Sequence, residues 1–330
     1  MYADRIPLLQ AIEARRNSRA ILFVTGDRKG LETQIHPEAY DHFVNLLDDI
    51  GVVEKISLIL YTRGGNTLAG WSIVNLIKQF GEKFEVIVPS KAYSCGTLMC
   101  LGAQTIVMTK QATLGPIDPS ITTPLNPAIP GAPPNARVPV SVEAVNGFVE
   151  FARQSLNTED ASEVRHLLVQ LCNHIHPLVL GSVFRSKSQI EMLGRKLMES
   201  AGAPQEKIVS VLPFLCSESG SHDYSIHRRE ALKLGLPIEK PDAAFYLEIK
   251  ALYDDLAAEL EFATPWNPMA ALGTNQSLNY SAKRCLVEST TGGSYSFVTQ
   301  GHLEKTTLPN HQTQIQDTRQ HEGWNYDSVP

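Results

Sequence analysis

The first half of the chain alternates short apolar runs with amphipathic stretches of helical period, and this alternation constrains the fold more than any other feature. The apolar runs are Ile21–Val24, Ile56–Tyr61, Phe84–Val88 and Thr105–Met108. Short runs that are apolar throughout are typical of strands buried on both faces of a parallel sheet. The segments between them that have helical period are Pro37–Asp49, Leu68–Phe80 and about Ser94–Gly102. The sequence therefore predicts an α/β fold with crossover helices.

The second half of the chain is less regular. Residues Thr122–Pro139 are rich in Pro, Ala, Gly and Asn, and proline lacks the amide donor that regular structure needs. We expect a loop or flap there, with few anchors. Helical periodicity returns in Ser141–Asn157, His166–Ala201 and Asp242–Phe262. The last sixty residues are polar and favour strands, so we expect one domain over residues 1–265 and a polar appendage over 266–330.

Composition and charge exclude several classes of protein. A chain with 43% hydrophobic and 19% charged residues can bury enough apolar surface to fold. The net charge is -6 and basic residues cluster only in pairs, which argues against nucleic acid as a partner. Residues Met1–Arg16 lack the apolar core of a signal peptide, and no later stretch reaches the roughly 18 apolar residues of a membrane span. We expect a cytoplasmic protein without an integral membrane segment.

The cysteines and the paired histidines do not indicate a metal site or a disulfide framework. The five cysteines are an odd number and none lies in a CxxC pair, so we interpret them as reduced thiols. His174 and His176 could supply only two of the ligands that a metal site needs. We expect these two histidines to be structural or exposed, and we expect neither a metal nor a cofactor.

Two glycines follow the second apolar run, in the segment Arg63–Asn66. Paired glycines allow backbone conformations that are closed to other residues and let another group approach the main chain closely. The amides of Gly64 and Gly65 could therefore point at a developing oxyanion or at a phosphate. The alternative interpretation of this pair is a plain tight turn.

A serine stands where the third apolar run gives way to a helical segment. Ser94 would lie at the first turn of that helix, where the positive end of the helix dipole lowers the cost of alkoxide character. The amide of Cys95 could donate to an oxyanion, and Gly96 keeps the approach open. The alternative is that Ser94 only caps the helix, since serine is a preferred N-cap residue.

Taken together, four segments resemble the Clp/crotonase superfamily. The similarity is greatest to the serine dehydrogenase proteinase family, which is related to the signal peptide peptidase A enzymes. The segments are Arg63–Asn66, Ala92–Leu98, Leu114–Pro119, and His222–Ile226 with Glu230–Leu236 after it. They stand in the order that this superfamily has, and the resemblance covers roughly residues 17 to 265.

The resemblance implies a spiral of ββα units with C-terminal helices, and a serine peptidase domain within residues 1–265. It implies that Ser94 is the nucleophile and that the amide of Cys95, with that of Gly65 or Gly64, forms the oxyanion hole. The implied substrate is a peptide or an unfolded protein. Members of this superfamily commonly assemble through their last helices, so we expect a homo-oligomer.

The general base is the point at which this chain departs from the Clp pattern. Clp subunits carry a histidine just after the fourth strand, and the matching segment Leu114–Pro119 contains Asp118 instead. Our hypothesis is a triad with exchanged positions, in which His222 takes the proton and Asp118 or Asp223 orients its ring. The alternative is that Asp223 caps the following helix and that His222 is a surface residue.

Lysine is the other possible base, because signal peptide peptidase A enzymes use one. Lys91 stands three residues before Ser94 and we expect it to point elsewhere. Lys187 lies with Arg185 and Arg195 in an amphipathic segment. A lysine acts as a base near neutral pH only when it is desolvated, and nothing in that polar setting indicates desolvation.

Two other functions remain open at this level. One is an acyl-CoA enzyme of the crotonase type, which would hold a thioester enolate with two backbone amides and needs no nucleophilic serine. The other is a binding or scaffold protein that has the fold without the activity. A probe for reactive serines distinguishes the peptidase from both.

Overall fold

A computed structural model describes residues 1–117, 120–156, 161–218, 221, 223–307 and 313–329. The chain divides into two compact units. The first unit consists of Met1–Leu114 with Ile226–Pro330, and the second of Gly115–Ser225. The segments around Gly64, Gly65 and Ser94 belong to the first unit.

The strands and helices are numbered in chain order. The strands are β1 (Arg19–Thr25), β2 (Val53–Tyr61), β3 (Gly81–Val88), β4 (Lys91–Ala92), β5 (Thr105–Met108), β6 (Thr113–Leu114), β7 (Ser120–Ile121), β8 (Val140–Ser141), β9 (Ile226–His227), β10 (Ile238–Glu239), β11 (Ser277–Ser289), β12 (Gly293–Thr307) and β13 (Thr313–Asp327). The helices are α1 (Tyr2–Arg16), α2 (Ala39–Ile50), α3 (Thr67–Phe80), α4 (Cys95–Cys100), α5 (Val142–Leu156), α6 (Ala161–His174), α7 (Pro177–Ser200), α8 (Gln205–Pro213), α9 (Arg228–Leu234), α10 (Ala243–Glu259) and α11 (Pro268–Leu272), with a π-helical turn over Phe214–Glu218.

An eight-stranded sheet forms the centre of the first unit, in the order β10-β5-β3-β2-β1-β11-β12-β13. The five strands from β10 to β1 are parallel. Both faces of β1 are buried: Leu22 and Val24 belong to a core cluster with residues of α1 and α10, and Phe23 meets Phe43 of α2 edge-on at 5.2 Å. Burial on both faces explains why the predicted strands are mostly apolar, and the predicted α/β class is confirmed.

A second, three-stranded sheet in the order β4-β6-β9 begins where the parallel strands end. β3 continues after a short turn into β4, β5 continues into β6, and β4 and β6 pair in parallel. A helix, α4, follows β4. This strand–strand–helix repeat is the ββα arrangement of the predicted Clp/crotonase-like fold.

The predicted helix His166–Ala201 is wrong as a single helix, since α6 ends at His174 and α7 begins at Pro177. Proline is favoured at the first position of a helix because it has no amide hydrogen to lose there. His176 caps α7, with its ring Nδ1 accepting a hydrogen bond from the Leu178 N–H at 3.2 Å. The same contact gives His176 a structural role.

Residues 266–330, expected as a polar appendage, supply β11, β12 and β13 to the main sheet. β11 pairs antiparallel with β1, and Cys285–Ser289 are buried there. Hydropathy alone obscures this strand because two of its innermost residues are polar. Glu288 is fully buried and accepts two hydrogen bonds from the equally buried Arg5, at 2.6 and 2.8 Å.

Helix α1 was not predicted, and its buried arginine explains why. Leu9 and Ile12 pack in the core, but Arg5 interrupts the apolar face that would mark an amphipathic helix. Arg5 also pairs with Glu259 of α10. Burial by itself would raise the pKa of Glu259, but hydrogen bonds from Lys283 and Arg5 outweigh it and lower that pKa to about 2. Glu259 therefore stays ionised beside Arg5 at neutral pH.

In the second unit, the predicted loop at 122–139 is irregular and is closed at its base by pairing of β7 with β8. Our expectation of few anchors is wrong. The buried Asn126 accepts hydrogen bonds from Thr123 and donates one to the Val138 carbonyl at 2.9 Å. Arg137 donates to the carbonyls of Pro124, Pro134 and Ala136. The loop is therefore held by its own side chains.

Two further expectations concern membranes and thiols. In the part of the chain that the structure describes, no single helix has the length and apolar character to cross a membrane. Arg165–His174 and Pro177–Ser200 meet that criterion of length and composition only as a pair, with a bend of 107° between them. All five cysteines are free thiols.

Candidate active site

Ser94 occupies a strained turn between β4 and α4. Its backbone has φ 50° and ψ -114°, a conformation that residues with a side chain rarely adopt. Such a conformation costs on the order of 1–3 kcal/mol and persists only where the surroundings enforce it. Ser94 stands at the N-cap position of α4, but its side chain makes no capping hydrogen bond to that helix. The side chain is half-buried and retains access to solvent.

Backbone hydrogen bonds from the end of β2 enforce this turn. The Thr62 N–H donates to the Lys91 carbonyl at 3.1 Å, and the Tyr93 N–H donates to the Thr62 carbonyl at 3.0 Å. On the helix side, the Leu98 N–H donates to the Ser94 carbonyl at 3.0 Å. Ser94 is thus held between a strand-like ladder and the first turn of α4.

Gly64 and Gly65 both have positive φ, at 110° and 141°, and each is closely approached by a different part of the chain. A Cβ on Gly64 would lie 2.8 Å from Ser94 Cβ and 3.2 Å from Ser94 Oγ. A Cβ on Gly65 would lie 2.4 Å from the Ile35 nitrogen. The first glycine therefore lets the serine approach, and the second lets the Ile35 backbone approach.

The peptide groups around these glycines have a defined orientation. The Gly64 N–H donates to Thr62 Oγ1 at 2.9 Å, and the Gly64 carbonyl accepts from the Ile35 N–H at 2.8 Å. In a trans peptide the N–H points opposite to the carbonyl, so the Gly65 N–H points away from Ile35. Within the described residues, neither the Gly65 N–H nor the Cys95 N–H donates a hydrogen bond. Cys95 is the first residue of α4, where amides have no partner within the helix.

Cys95 contributes its backbone N–H to the site, and its thiol is not reactive. Its side chain is fully buried, and its Sγ donates to the Asn66 carbonyl at 3.2 Å. Burial raises the pKa of the Cys95 thiol to about 12. A thiol that stays protonated at neutral pH is a poor nucleophile, which leaves the neighbouring Ser94 hydroxyl as the candidate.

The acid and the base of the hypothetical triad remain predictions. Asp118 and His222 lie outside the described residues. Asp223 belongs to the second unit, where it is exposed and its N–H donates to Ser221 Oγ at 3.2 Å. Helix α9 begins at Arg228 with His227 as its N-cap, so the interpretation of Asp223 as the cap of this helix is wrong.

Both candidate lysines have carboxylate partners. Lys91 Nζ lies 2.7 Å from Asp27 Oδ2 and 5.5 Å from the centre of the Tyr61 ring, so it points elsewhere as expected. Lys187 Nζ lies 3.9 Å from Glu191 Oε1, and its side chain is 28% exposed. Each ammonium is therefore paired with a carboxylate, and neither lies in the apolar surroundings that would activate a lysine as a base.

The described residues at this site do not form a set of metal ligands. Across the residues that the structure describes, no group of three or more His, Cys, Asp or Glu side chains could hold a metal ion. The turns instead present one hydroxyl and two amide N–H groups. These are the groups that acyl transfer needs, because a nucleophile and donors to an oxyanion act together there.

Sequence reasoning missed Thr62, which bonds to both turns. The available signal was a polar β-branched residue directly between the buried strand β2 and the glycine pair. Its partner Thr25, at the end of β1, lies 2.7 Å away from hydroxyl to hydroxyl. Both threonines are fully buried.

Comparison with known proteins finds a family model that matches this part of the chain. Residues 46–132 match the model of the ClpP-like serine dehydrogenase-type serine proteinases. This segment contains both glycines and Ser94. The predicted resemblance to the serine dehydrogenase proteinase family is therefore confirmed over this segment. The members of that family are serine peptidases.

The individual relatives and solved structures have low sequence identity to this chain. An uncharacterised protein of Methanocaldococcus jannaschii is 28% identical over 186 residues, which are 56% of this chain and 54% of that protein. This chain spans about half the length of the curated relatives it matches. Among solved structures, a membrane-bound stomatin-specific protease in complex with a substrate peptide is 19% identical, with a TM-score of 0.39 over 69% of this chain and 78% of that one. ClpP1 from Listeria monocytogenes is 15% identical, with a TM-score of 0.36 over 71% of this chain and 98% of that one.

Proposed function

We propose that this protein is a serine peptidase that hydrolyses peptide bonds through an acyl-enzyme on Ser94. One observation carries the proposal: a serine in a strained turn, whose hydroxyl does not cap its helix, lies against Gly64 beside two amides that have no partner among the described residues. The match of residues 46–132 to a serine proteinase family supports the same class of reaction.

The first half of the reaction forms the acyl-enzyme. Ser94 Oγ bonds to the scissile carbonyl carbon while its proton passes to the general base, for which His222 is our candidate. The carbonyl oxygen becomes an oxyanion and accepts hydrogen bonds from the N–H groups of Gly65 and Cys95. The C–N bond then breaks, the leaving amine takes the proton from the base, and an ester on Ser94 remains.

Water completes the second half of the reaction. A water molecule gives its proton to the base and bonds to the ester carbon, and the same two amides stabilise the second oxyanion. The bond to Ser94 Oγ breaks, the oxygen recovers the proton, and a carboxylic acid leaves. Asp118 or Asp223 would orient the ring of His222 and stabilise its charged form in both halves.

Gly64 and Gly65 have different roles in this proposal. The Gly64 N–H is already bonded to Thr62, so Gly65 is the better donor to the oxyanion. Gly64 contributes by lacking a side chain, because a Cβ there would meet Ser94. Cys95 supplies the second donor at the start of α4, where the helix dipole also favours negative charge.

We further propose a peptide or unfolded protein as substrate, a homo-oligomer as the working form and the cytoplasm as its location. These proposals rest on the family resemblance and on the composition of the chain. A crotonase-type enzyme would use the two amides alone. The strain at Ser94 supports the peptidase instead, because an enolate hole has no use for a serine held in this conformation.

Labelling with a fluorophosphonate tests the nucleophile. Its phosphorus bonds to an activated serine oxygen, fluoride leaves, and the adduct adds a fixed mass to the protein. We expect one adduct, mapped to Ser94 by peptide mass spectrometry, and none in Ser94→Ala. Ser188→Ala is the matched control, since Ser188 is an exposed serine within α7. No adduct on the wild-type protein, or labelling that persists in Ser94→Ala, would refute the proposal.

Substitution tests the base. Because the members of a triad act as one unit, His222→Ala should lose nearly as much of the labelling rate as Ser94→Ala, several orders of magnitude. Lys187→Met should label close to the wild-type rate. The opposite pattern would identify Lys187 as the general base. Full labelling in both variants would mean that a third group is the base.

A further inference from the structure

Thr62 connects the two turns of the candidate site through every polar group it has. Its backbone N–H and carbonyl bond to Lys91 and Tyr93, on the chain that leads into Ser94. Its hydroxyl accepts the Gly64 N–H at 2.9 Å. The residue is fully buried, so no water competes for these bonds. Thr62 therefore joins the two turns, since its side chain bonds to the glycine turn and its backbone bonds to the serine turn.

The hydroxyl of Thr62 matters because Gly64 has no side chain to restrict its backbone. The Thr62 hydroxyl contacts both peptide groups of Gly64: it accepts the Gly64 N–H at 2.9 Å and lies at a longer 3.4 Å from the Gly64 carbonyl, which also accepts the Ile35 N–H at 2.8 Å. If the first bond is lost, the buried N–H of Gly64 needs a new acceptor. Rotation about the flexible glycine dihedrals is the easiest way to find one, and it would turn the Gly65 N–H away from its present direction.

The methyl group of Thr62 faces the serine turn. A Cβ on Gly96 would lie only 2.4 Å from Thr62 Cγ2, so the first turn of α4 packs directly on this methyl group. The hydroxyl is oriented in turn by Thr25, whose Oγ1 is 2.7 Å away. One face of Thr62 thus holds the Gly64 N–H, and the other supports the helix that begins with the Cys95 amide.

We infer that Thr62 is the positioning residue that holds the Gly65 N–H in the direction required for an oxyanion hole. The inference rests on the proposed function, because the direction of the Gly65 N–H matters only if that group donates to an oxyanion. Thr62 touches neither the substrate nor the reacting atoms. It acts through Gly64, and the hydroxyl is the group that does so.

Three variants separate the hydroxyl from the rest of the side chain. Thr62→Val removes the hydroxyl and keeps the branched shape, whereas Thr62→Ser keeps the hydroxyl and loses the methyl group. Thr109→Val is the matched control, because Thr109 is also a fully buried threonine that directly follows a strand of the main sheet, and its hydroxyl donates to the Pro89 carbonyl at 2.8 Å. The readouts are the second-order rate of Ser94 labelling by a fluorophosphonate and the melting temperature of each variant.

We expect Thr62→Val to label roughly tenfold or more slowly than the wild type, part of the loss that follows when an oxyanion donor is removed. Thr62→Ser should stay within about threefold, because its hydroxyl still accepts the Gly64 N–H. Thr109→Val should melt at a lower temperature and label within about twofold of the wild type. If valine prevents folding, Thr62→Ala takes its place against Thr62→Ser, since alanine also lacks the hydroxyl and is smaller.

The outcomes distinguish this inference from the proposed function. A wild-type protein that does not label contradicts the proposed function itself. A wild-type protein that labels, with Thr62→Val or Thr62→Ala labelling equally fast, overturns the positioning role alone. Equal losses in Thr62→Ser and Thr62→Val would also overturn it, because the methyl group and not the hydroxyl would then be responsible.

Discussion

Two irregular parts of the chain are stabilised in opposite ways. The turns at Gly64 and Ser94 are held by backbone bonds from neighbouring segments, and Ser94 is strained because its φ is positive. The loop at 122–139 in the second unit is held by its own side chains, chiefly Asn126 and Arg137. The turns have no spare volume, whereas glycine in the loop has open space around it.

This difference indicates that the conformation of the turns, and not that of the loop, is required for function. Strain of order 1–3 kcal/mol at one residue is maintained only if the surroundings over-determine the conformation. At Ser94 the surrounding bonds come from β2 and α4, both of which are anchored in the main sheet and its helices. The loop has no comparable strain to support, so its internal bonds serve only to order it.

The largest expected effect comes from Ser94→Gly. Glycine adopts φ 50° at little cost, so the substitution should relieve strain and raise the free energy of unfolding by about 1 kcal/mol. The same change removes the hydroxyl, and labelling and peptidase activity should fall by several orders of magnitude. Denaturant unfolding and labelling of one preparation measure both. A variant that is inactive and also less stable would mean that Ser94 is not under strain.

A matched pair of glycine substitutions tests the next largest effect. Gly64→Ala places a methyl group 2.8 Å from Ser94 Cβ, at φ 110°. Gly131→Ala, in the loop, has φ 76° and no atom within 4 Å. We expect Gly64→Ala to lose roughly a hundredfold or more in labelling rate. Gly131→Ala should cost only the strain of a positive φ, about 1 kcal/mol of unfolding free energy.

Comparable losses of stability and labelling in the two glycine variants would remove the distinction between the turns and the loop. Gly65 is unsuitable for the same comparison, because a Cβ there would lie 2.4 and 2.5 Å from backbone atoms of Ile35. Backbone atoms cannot yield as a side chain can. A substitution at Gly65 would therefore report on folding as well as on the oxyanion hole.

The smallest effect concerns the loop. Asn126→Ala removes the amide that bonds to Thr123 and to the Val138 carbonyl, so the loop should open more often and be cleaved faster in limited proteolysis. Asn135→Ala, at an exposed asparagine of the same loop, is the control. Fragment masses locate the cleavage site. An unchanged cleavage rate in Asn126→Ala would show that the loop does not depend on its side-chain anchors.

Local patterns predicted the parallel half of the fold well. Strands β1, β2, β3 and β5 and helices α2 and α3 all lie where the apolar runs and the helical periods indicated. This succeeds because these strands, buried on both faces, are mostly apolar, and the helices that cover them are amphipathic. The position of Ser94 at a strand–helix junction could be predicted for the same reason.

Local patterns failed where distant polar residues pair inside the protein. Arg5 and Glu288 are separated by 283 positions, and each alone argues against burial. Their contact lets both residues be buried where α1 and β11 join the core. Hydropathy is a property of single residues, so a strand or helix stabilised by a buried ion pair is not visible to it.

At the candidate site, the residue types and their order along the chain came from the sequence: a glycine pair after one strand, and a serine after the next. The direction of the Gly65 amide, the strained backbone of Ser94 and the contacts of Thr62 came only from the tertiary structure. The physical reason is that a glycine or a serine can adopt many backbone conformations by itself. Hydrogen bonds between segments that are distant in the sequence, from Ile35 to Gly64 and from Tyr93 to Thr62, select one of them.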